Sequence, residues 1–479
     1  MLSLSRKTAT VLQPSAQMLD PHVWTDAPDR LSIRFSIYDS LVEYDATTAR
    51  YEPALMQGWS VESDARTWTL DVRPDVAFHN GDELEAADVV ATLERARDPA
   101  MGGELGTEGL IQRYLGGASI RATDSHQVEI ATPEPMADLL DLLVEIPILP
   151  RALLGDPLGR PVGTGPYRLI EVNPDSVVVE AFDGHWRRRP LVDRIRWVAQ
   201  PTTSRRVEAV LAGEADVAAS LPPEDAKEIA SADGVRLVTS DSSVCAVFIC
   251  NLFSGIFTDK RVRQALNHAL DIDELIKTVM SGAGRPLNGP LTPYHLGCDP
   301  STPRYDYRPE KARRLLKEAG LGSGLQLILD VPTVMPDRAP QLAARMAEQY
   351  ARIGIDTEVR EFEDRPAYAE MVRSKEIDDA CCFDSSPLST YRVLREKFHS
   401  GYHGPWWMGY ESTQVNDLLD RAAETPSFGV RRELYQDAYG RIRDDAPWIF
   451  LFSPRRLWAV RETVDHHLAT RADGVIRFE

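Results

Sequence analysis

Apolar and polar residues alternate with a period of two from Ser176 to Glu180 and again from Asp193 to Val198, which predicts two strands with one covered face. From Thr203 to Ala212 the period lengthens to that of a helix. Gly213 ends that helix, and Glu214-Ala215-Asp216-Val217 starts a further strand. Ahead of these lie the tight turn Val162-Gly163-Thr164-Gly165-Pro166-Tyr167, the strand Arg168–Ile170, and the aromatic turn Phe182-Asp183-Gly184-His185-Trp186. The stretch from Val162 to Asp225 thus reads as a β-hairpin feeding a β-α-β unit.

The rest of the chain continues the pattern. Upstream, the spacing predicts a strand over Thr8–Gln17 and a helix over Arg30–Leu41, with Leu31, Phe35, Tyr38 and Leu41 on one face. Strands follow at Trp59–Val61 and Thr67–Val72, then a helix at Asp82–Arg97 with acidic residues in its first turn. Gly102–Gly117 is glycine-rich and irregular, the pattern of a mobile loop; a strand at Val128–Ala131 and a helix at Met136–Leu143 follow it. Downstream come an apolar strand at Val244–Leu252, one long helix at Asp259–Ser281, and a helix at Pro309–Ala319 stopped by Gly320. Strand and helix then alternate through Leu325–Val331, Ala339–Ile353, Asp356–Phe362, Pro366–Ser374 and Asp379–Phe383, an α/β arrangement. Helices at Gln414–Glu424 and Val430–Asp444 and a strand at Trp448–Phe452 close the series. The chain shows no internal repeat and no low-complexity linker.

At 479 residues the chain exceeds what one core usually serves and predicts two or three domains. Its formal charge of -19 and short basic runs argue against a nucleic-acid partner. No apolar run approaches the roughly 20 residues of a membrane span. Met1–Lys7 lacks the apolar core and cleavage site of a secretory signal, so either the protein is cytoplasmic or a signal precedes this sequence. Cys245, Cys250, Cys298, Cys381 and Cys382 have no spacing of a disulfide framework or zinc site, and the adjacent Cys381 and Cys382, inside an apolar stretch, read as small buried thiols. Phe78-His79-Asn80-Gly81 places a histidine in a turn without a catalytic partner. Gly163-Thr164-Gly165-Pro166 lacks the lysine and helix of a phosphate loop. No cofactor or metal is implied.

The order of several short strings resembles the family 5 extracytoplasmic solute-binding proteins of ABC transporters, the dipeptide, oligopeptide and nickel receptors. These strings are Leu19-Asp20-Pro21-His22, Tyr38-Asp39-Ser40-Leu41, Trp59-Ser60-Val61, Val72-Arg73-Pro74-Asp75-Val76, Phe78-His79-Asn80-Gly81 and Ala87-Asp88-Val89-Val90. Val162–Tyr167, Gly213–Val217, Asp259–Asp271 and Lys311–Gly320 complete the set. The resemblance implies a periplasmic-binding-protein-like α/β fold of two lobes with a hinge plus a smaller extra domain. Residues 1–42, 162–243 and 455–479 would form one lobe, 43–161 the smaller domain and 244–454 the second lobe. The chain would cross between lobes near Ser243-Val244-Cys245 and Phe452-Ser453-Pro454, and a ligand would shift an open–closed equilibrium.

The resemblance also directs attention to particular residues. Asp384 stands where peptide-binding members place an Asp for the ligand's α-amine; its other reading is a cap for the helix after Pro387. Arg392 could pair with a ligand carboxylate, or be a solvated arginine of a helix face. The loop from His399 to Tyr410 is unusual in composition, and His399, Trp406 and Tyr410 are candidate cleft residues, against a reading as loop packing. His22 and Trp24 follow the Leu-Asp-Pro turn at the implied cleft mouth, and Tyr114 could supply another wall. The implied protein is a monomeric, periplasmic receptor that captures a short peptide or amino-acid conjugate and delivers it to membrane permease subunits. Alternatives are a receptor for an opine, sugar, metal chelate or heme, a cytoplasmic sensor of the same fold, and a peptidase, for which no nucleophile–base pair is evident.

Overall fold

Six consecutive apolar residues, Cys245–Cys250, form a strand in which every side chain is buried. Neighbouring side chains of a strand point to opposite faces. Cys245, Val247 and Ile249 enter one core, and Ala246, Phe248 and Cys250 enter another. The computed structural model that establishes this describes residues 7–103, 109–322, 324–334, 336, 338–465 and 467–478. It divides into two compact units, one of Met1–Ser240 with Arg456–Glu479 and one of Asp241–Arg455.

In the second unit the strand order is Ile355–Phe362, Leu325–Pro332, Ala380–Ser385, Cys245–Cys250 and the start of Trp448–Arg461. The first three strands are parallel, and Cys245–Cys250 runs antiparallel to both its neighbours. Helices Lys260–His268, Ile272–Val279, Pro309–Glu318 and Ala339–Ala351 cover one face. Helices Arg365–Arg373, Thr390–Phe398, Thr413–Ala423 and Phe428–Asp445 cover the other. Covered on both sides, the central strands read as unbroken apolar runs instead of alternating ones.

The single long helix predicted over Asp259–Ser281 is two helices. Asp271 adopts extended backbone, and its carboxylate accepts a hydrogen bond from the Glu274 amide at 3.0 Å, capping the second. From the first of them, Lys260–His268, Arg263 donates to the carbonyls of Phe257 and Asp445. The Asn267 side chain donates to the Trp448 carbonyl and accepts from the Phe450 amide. Helix Lys260–His268 is thereby tied to the end of helix Phe428–Asp445 and to strand Trp448–Arg461. The strand predicted over Trp448–Phe452 runs on to Arg461: its first part pairs with Cys245–Cys250, and Ala459 and Val460 pair with Val217–Ala218 of the first unit.

In the first unit Thr8–Gln13 lies parallel to Arg194–Ala199 and to Val217–Ala218, and Ser176–Ala181 pairs antiparallel with Arg194–Ala199 and with Tyr167–Asn173. Val11, Val179, Trp197, Val217 and Trp458 fill its core. Asp216 splices this sheet, its carboxylate accepting from the Thr10 amide at 2.8 Å. A separate antiparallel sheet is ordered Met56–Val61, Thr67–Val72, Gln127–Ala131, Ser119–Asp124, with helix Ala86–Ala96 against it. Ser119–Asp124 escapes sequence reading because only Ile120 is buried, so no alternation marks it. Gly102–Gly117 is not wholly irregular: Gln112–Leu115 is helical, since Tyr114 and Leu115 have a core to enter. Residues 104–108 of that predicted loop, and Met1–Arg6 of the amino terminus read above, lie outside the described residues.

The turn Val162–Tyr167 passes against the end of helix Pro28–Ile37. A Cβ at Gly163 would lie 2.2 Å from the Ile37 carbonyl oxygen, and one at Gly165 2.5 Å from the Ile37 carbonyl carbon. The Gly165 amide donates to that same oxygen at 3.0 Å, while the His79 ring meets the Gly165 carbonyl at 2.9 Å and accepts from the Gly163 amide at 3.3 Å. His79 is thus a clasp on the glycine turn. Gly165→Ala is expected to destabilise the protein by about 1–3 kcal/mol through overpacking against backbone, read as a lower urea midpoint with unchanged slope.

Candidate functional site

Strand Ala380–Ser385 is apolar until its last two residues. There the strand ends, and polar side chains follow. The Asp384 side chain is 14% exposed and its Oδ1 lies 3.8 Å from Arg365 Nη2. Buried Ser385 accepts a hydrogen bond from Lys397 Nζ at 2.6 Å. Lys397 belongs to helix Thr390–Phe398, which begins at Ser389, whose side chain accepts from the Arg392 amide. Val393, Leu394 and Phe398 enter the core, and the helix is so deeply packed that Arg392, Glu396 and Lys397 are buried with them.

Arg392 and Glu396 pair at 3.3 Å, one turn apart. Lys397 is 2% exposed and satisfies one of its three N–H groups, on Ser385. Burial pushes its ammonium down to about 8, aided by Arg392 and opposed by Glu396 and Asp384. Its Nζ also lies 5.7 Å from the centre of the Phe383 ring, on which Trp406 packs at 4.9 Å. His295 closes the neighbourhood, its Nε2 2.8 Å from the Pro387 carbonyl. Burial pushes His295 down to about 4, so it is neutral at physiological pH. The arrangement holds both signs of charge away from water, where an uncompensated charge is costly and a complementary ligand group correspondingly favoured. It can bind an ammonium at Asp384 and a carboxylate at the cations. The cysteine that pairs with Ser385 across the sheet, Cys245, is not an activated thiol, because burial pushes it up.

The structure brings Asp384, Arg392 and Trp406 into this one region. Arg392 is not a solvated helix-face arginine, because the helix that carries it is buried and Glu396 is its partner. Tyr410 lies elsewhere in the unit, its hydroxyl donating to Asp445 Oδ2 at 2.6 Å. His399 closes a turn: its Nε2 lies 3.0 Å from Asp420 Oδ1, and its Nδ1 accepts from the Gly401 and Tyr402 amides at 3.1 Å. His22, Trp24 and Tyr114 belong to the first unit. The His22 ring sits between Arg95 Nη1 at 2.7 Å and the Pro147 carbonyl at 3.0 Å, and burial pushes it down to about 4. The Trp24 amide donates to the Gly102 carbonyl at 3.1 Å, and Tyr114 is buried on its short helix. Sequence reasoning missed Arg365, Glu396, Lys397 and His295. A charged run such as Arg395-Glu396-Lys397 has the pattern of a solvated helix face, and nothing in it signals burial.

The model of the bacterial extracellular solute-binding proteins, family 5, matches residues 50–381. The chain is 32% identical over 458 residues to the glutathione-binding protein GsiB of Pectobacterium atrosepticum, covering 91% of this chain and 86% of that protein. It is 30% identical over 449 residues to GsiB of Escherichia coli K12, covering 90% and 86%. Among solved structures it is similar to HbpA2 from Haemophilus parasuis, with a TM-score of 0.85, 22% identity, and 98% and 100% of the two chains covered. DppA from Helicobacter pylori in complex with the peptide STSA gives a TM-score of 0.79 at 23% identity, with 99% of each chain covered.

Two expectations follow from the site's electrostatics. The folded value of Lys397 lies below the 10.5 of an exposed lysine, so below pH 8 the buried ammonium costs stability and above pH 10.5 it costs none. Lys397→Met is therefore expected to stabilise the protein by about 1–3 kcal/mol at pH 7, with the gain shrinking by pH 9.5, as calorimetry would record. For His22 and His295 the folded values lie below the unfolded 6.5, so their contribution is complete above pH 6.5 and is lost as the pH falls toward 4. Urea unfolding at pH 7.5, 6 and 5 is expected to show stability falling by up to about 1.4 kcal/mol per pH unit for each histidine, and His295→Gln to flatten that slope.

Proposed function

The chain belongs to family 5 of the bacterial extracellular solute-binding proteins, and on that premise we propose that it captures a short peptide or amino-acid conjugate of the glutathione type. It hands that ligand to the membrane permease of an ABC importer and performs no chemistry on it. Its place of work is the periplasm, and it acts as a monomer. The observation that carries the ligand class is the enclosed cluster of both signs, Asp384 with Arg365, Arg392, Glu396 and Lys397. A peptide-like ligand carries an ammonium and one or more carboxylates, and such a cluster can compensate both. The relatives that bind glutathione, and DppA with its peptide, support the same class.

In this reading Asp384 receives the ligand's free amine, Trp406 and Phe383 pack against its aliphatic part, and a cation of the cluster takes a carboxylate. Calorimetric titration with reduced glutathione, a set of dipeptides and their N-acetylated forms tests it. The expected result is binding of at least one free-amine ligand, weakened about 10–100-fold by Asp384→Asn and by acetylation alike. Equal affinity for acetylated and free ligands would remove Asp384 from the site. A response to a sugar or metal chelate and to no peptide or conjugate would overturn the ligand class.

A further inference from the structure

Beyond the other end of the Cys245–Cys250 strand, the second unit holds a cavity of about 440 Å³. Cys250 pairs with Ala380 while Ala246 pairs with Asp384, so at roughly 3.3 Å per residue the cavity begins about 13 Å along the strand from the Asp384 cluster. Its walls include Phe253, Trp407 and Tyr410 on the aromatic side, with Arg263, Glu411 and Asp445 supplying charge.

The aromatic wall is fixed. The Trp407 indole donates to the Tyr410 carbonyl at 2.7 Å, and its ring meets Phe253 edge-on at 5.3 Å and 86°. Phe253 is 48% exposed, an unusual position for a large apolar ring directly after a buried strand. The backbone leaves no slack there: a Cβ at Gly409, whose φ is +82°, would lie 2.9 Å from the Phe253 amide nitrogen.

The charges are unequally committed. Arg263 spends its N–H groups on the carbonyls of Phe257, Thr258 and Asp445. The Asp445 carboxylate is shared between the Tyr410 hydroxyl at 2.6 Å and Lys260 Nζ at 3.0 Å. Glu411 is exposed and, among the described residues, makes no hydrogen bond or ion pair. The cavity thus presents the exposed Phe253 ring, with Trp407 and Tyr410 largely buried behind it, beside one uncommitted carboxylate. Aromatic faces attract a diffuse, weakly hydrated cation more effectively than a strongly hydrated metal ion, and the carboxylate supplies the counter-charge. The volume is that of a small-molecule site.

We propose that this cavity is a second binding site, separate from the Asp384 cluster, for a small organic cation of the alkylammonium type. Choline chloride titrated into the full chain, followed by calorimetry and tryptophan fluorescence against a sodium chloride control, tests this. Saturable binding is expected, weakened roughly 3–30-fold by Glu411→Gln and by Phe253→Ala, with glutathione or dipeptide affinity unchanged in both variants. Both side chains face solvent, and a far-ultraviolet circular dichroism melt checks that each variant folds. Absence of saturable choline binding overturns the proposal, as does binding that survives both substitutions. Competition between choline and the peptide ligand would place the cation in the Asp384 cluster and equally overturn it, whereas failure of every peptide to bind would leave the choline result standing.

Discussion

Burial of one sheet on both faces is the constraint from which the second unit follows. A strand such as Cys245–Cys250, with a helical layer on each side, has no position where a polar side chain can reach water. Polar chemistry is therefore displaced to strand ends. Asp384 and Ser385 sit at one end of Ala380–Ser385, and Asp379 precedes the other, where its carboxylate accepts from the Ile328 amide. Both the charged cluster and the aromatic cavity lie where this sheet stops.

The helix behind that strand end breaks the usual rule that long charged side chains stay exposed. Arg392 and Glu396 compensate one another, but Lys397 has one neutral acceptor and pays in desolvation. Stability alone would favour an apolar residue at that position. Local conflict of this kind, held in place by an otherwise consistent core, is characteristic of functional sites.

The strings that mark the family are mostly structural devices. The glycines of Val162–Tyr167 permit backbone contact with Ile37, and His79 clasps that turn. Arg263 and Asn267 join a helix end to a strand, and Asp216 joins strands of the first sheet. Such devices serve any ligand, which is why they identify the family and leave the solute open.

Much of the fold was legible from local pattern, because strand and helix periodicities reflect burial that recurs every two or every three to four residues. The alternating strands and helices from Leu325 onward, and the α/β class, could be read directly. What depended on particular contacts could not: the break at Asp271, where one carboxylate caps a second helix; strand Ser119–Asp124, with a single buried side chain; and the long run of Trp448–Arg461. The site divided the same way. Asp384 was a candidate through the family resemblance, which places an Asp at the end of this apolar strand. Lys397, Glu396, Arg365 and His295 were not, because a charge looks the same in sequence whether a helix shows it to water or packs it inward. Only the tertiary structure decided that, by covering helix Thr390–Phe398 on nearly every side.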